Sequence, residues 1–384
     1  MNYALWLVSW YPNRTDNFLG DFIERHARAT ALFCKVIVLF ITKDEKLKNG
    51  KVEIERSIEN NLIVYKVYYG KFLIGRIEKL LSLFKYITLQ KKMYAEISSL
   101  YGTPTIIHVH VAMKAGLLAR YLKRKKNIPY LLTEHWSGYY MEKPLNIYNA
   151  GFLLRTFTKS VLQNATVILP VAKGLAVAIR ELIKVPFLVV PNVVDTQLFY
   201  YRPPVQKKIR FIHPSVMDFS KNPEGIIEAA KILADEGYVF EVLMIGRINP
   251  ALIALANELS MLNNFIFFKE EVNYAQVAIE MQHSSALLMF SRFESLPCVI
   301  LEALCCGLPV ISSDAGGIPE IINELNGILV KSENKIQLKE AMKKMVDNYT
   351  FYNRKSISED AVDQYSFPVV GKKILEVYKS IIHS

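Results

Sequence analysis

Residues 292–317, RFESLPCVILEALCCGLPVISSDAGG, constrain the fold more than any other stretch of the chain. The apolar run ALLMF just before them has the length and character of a buried strand. Pro297 stands where a helix would begin, and Gly307-Leu308-Pro309 where it would stop. The order strand, loop, helix, turn, strand is the repeating unit of a parallel sheet covered by helices. In such a sheet the loop after a strand lies at the carboxyl edge, where open α/β folds bind ligands. Glu294 falls in that loop and Glu302 in the helix, with seven residues between them.

A helix N-terminus offers unpaired N–H groups and partial positive charge, which suits a phosphate. Glu302 lies about six residues further along, roughly 9 Å deeper at roughly 1.5 Å per residue. Two carboxylates so placed can hold the ends of one long, hydroxylated, phosphorylated ligand, and a nucleotide-sugar has that form. Glutamates at this spacing also occur as ordinary solvated or ion-paired side chains, so the neighbouring residues must decide.

The rest of the chain reads as further α/β units. Residues 3–9 are strand-like and lead into WYPNRTDNFLGDF, a turn-rich loop holding Gly20, and then a helix over about 21–33. Strands follow at 35–40 and 62–68, with a charged connection at 43–51. Residues 70–101 place Phe72, Ile77, Leu80, Leu81, Phe84 and Ile87 near helical spacing, with Lys71, Arg76, Lys79, Lys85, Lys91 and Lys92 interleaved. That pattern fits an interfacial membrane helix and equally a domain helix with a solvated face. IIHVH at 106–110 is a buried strand with His108 and His110 on one face, and no third ligand at zinc-site spacing accompanies them. Residues 130–140 are a strand running into an aromatic loop that contains His135. Strands at 167–169 and 187–190, separated by a helix from about 172, end the first half. Strands at 208–213 and 265–268 belong to the second, and helical segments follow NGILV at 326–330.

The length of 384 residues suits two α/β domains of ordinary size. No apolar run reaches the roughly 20 residues of a membrane span, and MNYALWLVSWYP reads as a first strand rather than a leader, so cytoplasmic residence is expected. Cys34, Cys298, Cys305 and Cys306 show neither metal-ligand nor disulfide spacing and read as small hydrophobes. Charge is unevenly spread: residues 1–185 hold 28 Lys and Arg against 13 Asp and Glu, whereas 186–384 hold 19 against 23. A basic first half predicts an anionic partner. A membrane surface fits better than nucleic acid, since no nucleic-acid module is recognisable.

Ser291, Glu294, Pro297, Glu302, Ala303, Gly307, Pro309, Gly316, Gly317, Pro319 and Glu320 recur in one register. This resembles the retaining glycosyltransferases of family 4, whose donor domain carries an E-x7-E motif followed by EA, G-x-PV and GG-x-PE. VVPNVVDTQLF at 189–199 is similar to the family's interdomain linker, where Asn192 and Asp195 suit turn and capping bonds. The resemblance covers nearly the whole chain and is most specific over 291–330. It implies a GT-B fold, two Rossmann-like α/β domains with parallel sheets facing a central cleft. The first domain would span 1–190, rejoined by a helix at 366–384, the linker 191–204, and the nucleotide-sugar domain 205–365.

The resemblance also implies roles. Glu302 would hold the donor ribose and Glu294 the sugar hydroxyls. Lys221, Ser295 and Leu296 would face the leaving diphosphate, and His135 would lie near the donor sugar. Gly20 would lie beneath the phosphate and acceptor; a plain turn glycine and a structural histidine are the alternatives for Gly20 and His135. Where the family carries glycine and arginine upstream of Lys221, this chain has Ser215 and Val216. Loss of that arginine calls for a substitute cation. Arg247, after Gly246 at the end of a predicted strand, is the first candidate and Arg292 the second.

The expected activity is retaining, metal-independent transfer from a UDP- or GDP-sugar, with no cofactor, to a glycan or lipid-linked acceptor at an anionic membrane surface. The chain has no Asp-x-Asp metal motif. A glycosidase would pair carboxylates across an open sugar groove, and a dinucleotide oxidoreductase would need G-x-G-x-x-G after a strand, which is absent. The competing expectation is a catalytically impaired relative that serves as a binding or partner subunit.

Overall fold

A computed structural model describes residues 2–71, 78–203 and 208–383. The chain divides into two compact units, Met1–Pro191 with Phe367–Ser384, and Asn192–Ser366.

The first unit is built on seven strands: β1 (Ala4–Val8), β2 (Val36–Asp44), β3 (Val52–Glu59), β4 (Leu62–Gly70), β5 (Ile106–His110), β6 (Tyr130–Glu134) and β7 (Ile168–Pro170). Their order across the sheet is β3-β4-β2-β1-β5-β6-β7. The helices α1 (Asp21–Ala31), α2 (Glu78–Tyr101), α3 (Gly116–Lys126), α4 (Phe152–Asn164) and α5 (Lys173–Arg180) connect them. β1, β5 and β6 are buried at every position, as parallel strands covered on both faces must be, and hence read as unbroken apolar runs.

The C-terminal helix Phe367–Ile382 belongs to this unit. It approaches α1 so closely that a Cβ on Gly371 would lie 2.1 Å from the Ala29 carbonyl oxygen, which explains the glycine. Its Tyr378 hydroxyl accepts the Trp6 indole N–H at 3.0 Å.

The first sheet departs from the expected pattern in two places. β3 is an antiparallel edge strand on β4, in a stretch where no strand was expected. Glu53, Glu55, Arg56 and Glu59 dilute its apolar alternation, and such charges protect an exposed edge from pairing with another chain. Arg14 ties it down, pairing with Asp44 at 2.8 Å and Glu53 at 2.7 Å over the Tyr68 ring. The strand expected at 187–190 is reduced to a single bridge between Phe187 and Ile168, continued by Leu188 N–H to the Ile168 carbonyl and Val190 N–H to the Pro170 carbonyl.

In α2 the buried face is Tyr86, Leu89, Gln90, Met93, Tyr94 and Ile97. Leu80 and Phe84 of the expected apolar stripe are exposed, and Phe72, Arg76 and Ile77 lie outside the described residues. Among the described residues no helix is long and apolar enough to cross a membrane.

The second unit has six strands, β8 (Arg210–Ser215), β9 (Glu241–Gly246), β10 (Ile266–Glu270), β11 (Ala286–Met289), β12 (Val310–Ser313) and β13 (Gly327–Val330), all parallel in the order β10-β9-β8-β11-β12-β13. Helices α6 (Pro223–Asp235), α7 (Pro250–Glu258), α8 (Tyr274–Gln282), α9 (Cys298–Cys305), α10 (Lys335–Asp347) and α11 (Arg354–Tyr365) cover it. Phe211, Val242, Met244 and Leu288 of the sheet pack on Ile226, Ala230 and Leu233 of α6. Asn222, Asn249, Asn273, Asn334 and Asn353 cap α6, α7, α8, α10 and α11 through their side-chain oxygens. Among the described α-helices of this unit, α9 alone starts without a side-chain cap.

The segment expected as a linker is bound into this unit at its start. Val194 bridges Ser366 and donates its N–H to the Tyr365 carbonyl at 2.8 Å. The Asn192 amide donates to the Leu296 carbonyl at 2.7 Å.

Candidate active site

In the second unit, β9 and β10 lie on one side of β8 while β11, β12 and β13 lie on the other. The direction of winding therefore reverses between β8 and β11, and the loops leaving their carboxyl ends flank the crevice where sheets of this kind bind ligands. One loop carries Lys221 and the other Glu294, 73 residues apart in sequence. Lys221 Nζ donates to Glu294 Oε1 at 2.5 Å, and Ser291 Oγ donates to the same oxygen at 2.8 Å. Both side chains are largely withdrawn from solvent, 20% and 9% exposed.

Backbone contacts hold the Glu294 loop. Gly316 has φ +58°, and a Cβ there would sit 1.9 Å from the Glu294 carbonyl oxygen, so the second strand-to-helix turn presses directly on this residue. Gly317 N–H donates to the Ser295 carbonyl at 2.9 Å. Ser313 Oγ donates to the Ser291 carbonyl. With Asn192 holding the Leu296 carbonyl, the approach to α9 is fixed on both sides. Ser295 Oγ is buried and bonds to nothing among the described residues, and the backbone N–H groups of Ser295 and Leu296 likewise meet no acceptor there. An uncapped helix start with buried, unused donors is prepared for an anion. Glu302, the fifth residue of α9, is buried.

Arg292 has a different task from the one expected of it. Its guanidinium donates to the Phe219 carbonyl at 2.6 Å, pairs with Glu224 at 3.0 Å and Glu333 at 2.9 Å, and lies over the Phe219 ring. Its backbone N–H reaches the Ser220 carbonyl at 2.8 Å. Arg292 thus clamps the Lys221 loop to the Glu294 loop, and its donors are committed within the protein. Sequence reasoning missed this role because its partners, Phe219, Ser220, Glu224 and Glu333, are remote in the chain.

The departures at Ser215 and Val216 have a visible consequence. His213, buried between β8 and β11, donates Nδ1–H to the Leu288 carbonyl at 2.9 Å, so its Nε2 accepts from Ser215 Oγ at 2.8 Å. The Ser215 hydroxyl in turn accepts the Met217 N–H at 3.0 Å. Burial drives the imidazole pKa down to about 4, so the ring is neutral near pH 7. This relay shapes the turn toward Lys221, in which Met217 and Asn222 both adopt φ +52°.

Gly246 at the end of β9 has φ +146°, and a Cβ would overlap the Ser215 carbonyl oxygen at 1.8 Å. Arg247 follows it, 61% exposed, with Nε on Glu271 Oε2 at 3.0 Å. Val216 is exposed and supplies no charge.

In the first unit the same topology recurs, with reversal between β1 and β5. Gly20 caps α1 at φ +67°, and a Cβ would meet Trp10 at 2.7 Å, so local geometry alone demands glycine. His135 follows β6. Its Nε2 lies 3.3 Å from His110 Nδ1, and its ring stands beside Phe22, His26 and His110. His108 completes four neighbouring imidazoles, bonded to Tyr378 and Thr133 at 2.7 Å each. Burial holds His108 and His110 well below the usual imidazole range. Among the described residues no group of three or more potential ligands is arranged to hold a metal ion.

Glu134, fully buried, accepts the N–H groups of Ala112, His135 and Trp136 and the Tyr139 hydroxyl. Burial raises its pKa against the opposing pull of these donors. This carboxylate fixes the backbone that carries His135, a part no spacing rule in the sequence revealed.

The model of the Glycosyltransferase Family 4 matches residues 37–198, and that of the Glycosyl transferases group 1 matches residues 202–363. The chain is 23% identical over 366 residues to the putative teichuronic acid biosynthesis glycosyltransferase TuaC of Bacillus subtilis, covering 88% of this chain and 87% of that one. Among solved structures, the sucrose-phosphate synthase from Thermosynechococcus elongatus superposes with a TM-score of 0.80 at 16% identity over 99% of both chains. Anabaena HepE in complex with UDP and glucose gives 0.72 at 13% identity, over 98% of this chain and 99% of that one.

Proposed function

Because the chain belongs to the family 4 glycosyltransferases, we propose that it is a retaining enzyme moving a sugar from a UDP- or GDP-sugar to a glycan or lipid-linked acceptor. The product would serve cell-surface polysaccharide assembly. The observation that carries this reading is the Lys221–Glu294 pair beside the uncapped start of α9, at the winding reversal of the second sheet. The relative named for teichuronic acid synthesis supports the polysaccharide setting, and HepE, solved with UDP and glucose, supports the donor class.

Transfer requires stabilisation of the charge that grows on the leaving diphosphate. Lys221 and the N–H groups of Ser295 and Leu296 supply it, and removal of one such group typically costs about 3 kcal/mol of barrier. Arg247 adds the second cation. Glu302 holds the ribose, Glu294 orients the sugar hydroxyls, and Gly246 leaves room at the end of β9. The resemblance assigns His135 to the donor sugar and Gly20 to the donor phosphate and acceptor. Fixed protein charge in these positions replaces a divalent cation. The basic excess of residues 1–185 supports a peripheral position on the inner face of the cell membrane.

The test is turnover of a UDP- and GDP-sugar panel without acceptor, in the presence of a chelator. Nuclear magnetic resonance would read the anomer first released. Slow hydrolysis with retained configuration is expected. Inverted product would overturn the retaining assignment, and tight nucleotide binding with no hydrolysis of any donor would favour a partner subunit, the reading that Val216 supports by lacking a cation.

A further inference from the structure

In the first unit, β6 leads through residues 135–151 into α4, which runs back toward the start of β7. The first residues of α4 therefore stand at the carboxyl edge of the sheet, the edge that also carries His135. This segment displays apolar side chains to solvent. Leu145 is 81% exposed, Phe152 80%, Leu153 69% and Met141 64%, and Leu154 and Phe157 are also exposed.

The display is built rather than frayed. Asn146 is buried, donates through Nδ2 to the carbonyls of Met141 and Lys143, and accepts through Oδ1 the N–H groups of Tyr148 and Asn149. Ile147 is buried beneath it, with its N–H on the Gly138 carbonyl at 2.7 Å. A loop ordered around its own polar residue, holding large apolar side chains outward, is a contact surface. Its chemistry points to one occupant. Within residues 141–159 the sequence sets Lys143, Arg155 and Lys159 among the apolar residues with one acidic residue, Glu142, in a half of the chain that carries a large basic excess. Apolar residues tipped with cations match the acyl and headgroup layers of an anionic bilayer.

We infer that residues 141–157 form a bilayer-docking surface on the acceptor side, so that the acceptor is lipid-linked and is met at the membrane. This deepens the transferase reading and rests on it for the acceptor, but the docking itself is measurable without any donor. The assay is co-sedimentation with mixed phosphatidylglycerol–phosphatidylcholine vesicles, using the parent chain, Phe152→Ser/Leu153→Ser, and Leu80→Ser/Phe84→Ser as a control from α2. Since the two side chains of the first variant are exposed, it should keep the parent's melting temperature and donor hydrolysis. Its partition onto vesicles should fall about tenfold or more, whereas the control should bind like the parent. A bromolipid should quench Phe152→Trp above the parent's background.

Parent-like binding by the first variant, or equal parent binding to pure phosphatidylcholine, overturns the inference. So does an equilibrium dimer that the first variant converts to monomer, which would assign the surface to a second copy. Loss of hydrolysis in the parent would sink the transferase reading and leave docking to be judged by sedimentation alone.

Discussion

Lys221→Met separates a structural ion pair from a catalytic one. The variant leaves Glu294, 9% exposed, as a carboxylate whose remaining side-chain partner is Ser291. Breaking a fully buried pair costs about 3–5 kcal/mol; because Lys221 retains a fifth of its exposure, about 2–3 kcal/mol is the fair figure here. For a unit of this size that lowers Tm by about 5–10 °C. Lys221→Met should also reduce donor hydrolysis on the order of 10²-fold, through lost stabilisation of the leaving diphosphate. Adding Glu294→Leu removes the stranded charge, so the double variant should recover to within about 1 kcal/mol of the parent in urea denaturation. It should recover no turnover. If hydrolysis returns together with stability, the pair is only a structural bridge and the site must be sought elsewhere.

Gly316→Ala should cost more than the about 1–2 kcal/mol of its left-handed backbone, because the new methyl would stand 1.9 Å from the Glu294 carbonyl oxygen, and should depress turnover as Glu294 is displaced; calorimetry and hydrolysis rates check the two effects. Glu302→Ala should weaken binding of the free nucleotide in calorimetric titration while leaving the Lys221–Glu294 pair intact. Arg247→Ala should reduce turnover about as severely as loss of Lys221, with partial rescue by Val216→Arg; unchanged kinetics would remove Arg247 from the mechanism. His213 has a folded pKa of about 4 against an ordinary value of about 6.5. Its contribution is therefore fully present above pH 6.5 and lost as pH falls toward 4, up to about 3 kcal/mol. Urea midpoints across that range should fall in the parent and fall less in His213→Gln.

What could be read from the sequence was what is local in it. The buried strand before Arg292, the start of α9 at Pro297 and the carboxylates seven residues apart are contiguous signals, and the structure places them as read. That Lys221 touches Glu294 is not contiguous: it depends on β11 crossing over to pair with β8, which no spacing encodes. The same holds for the four imidazoles, brought together from α1, β5 and the loop after β6. β3 was hidden because its burial is slight; a strand that faces water on an edge needs charge more than apolar alternation. The surface at 141–157 was hidden for the opposite reason. Phe and Leu read as core in any sequence, and only their exposure in the folded chain shows that they point outward.

The exchange of glycine and arginine for Ser215 and Val216 bears on how this site differs from the family pattern. A glycine there would leave the turn after β8 free to adjust, whereas the Ser215 hydroxyl is held by His213 and itself holds the Met217 N–H. Arg292 closes the same turn from the other side. Lys221 is thus delivered to Glu294 by a turn fixed at both ends, so on the proposed function a donor would meet a preformed pair rather than a mobile cation. Preorganisation of that kind lowers the cost of aligning charge during reaction. It also concentrates dependence on one lysine, since Val216 offers nothing and Arg292 is spent. On the proposed function the second cation would come from a side chain with freedom to move. Arg247, solvent-exposed and held among the described residues by Glu271, has that freedom, and exchanging Glu271 for a donor phosphate at the carboxyl edge of β9 would convert a weak surface pair into a bidentate one.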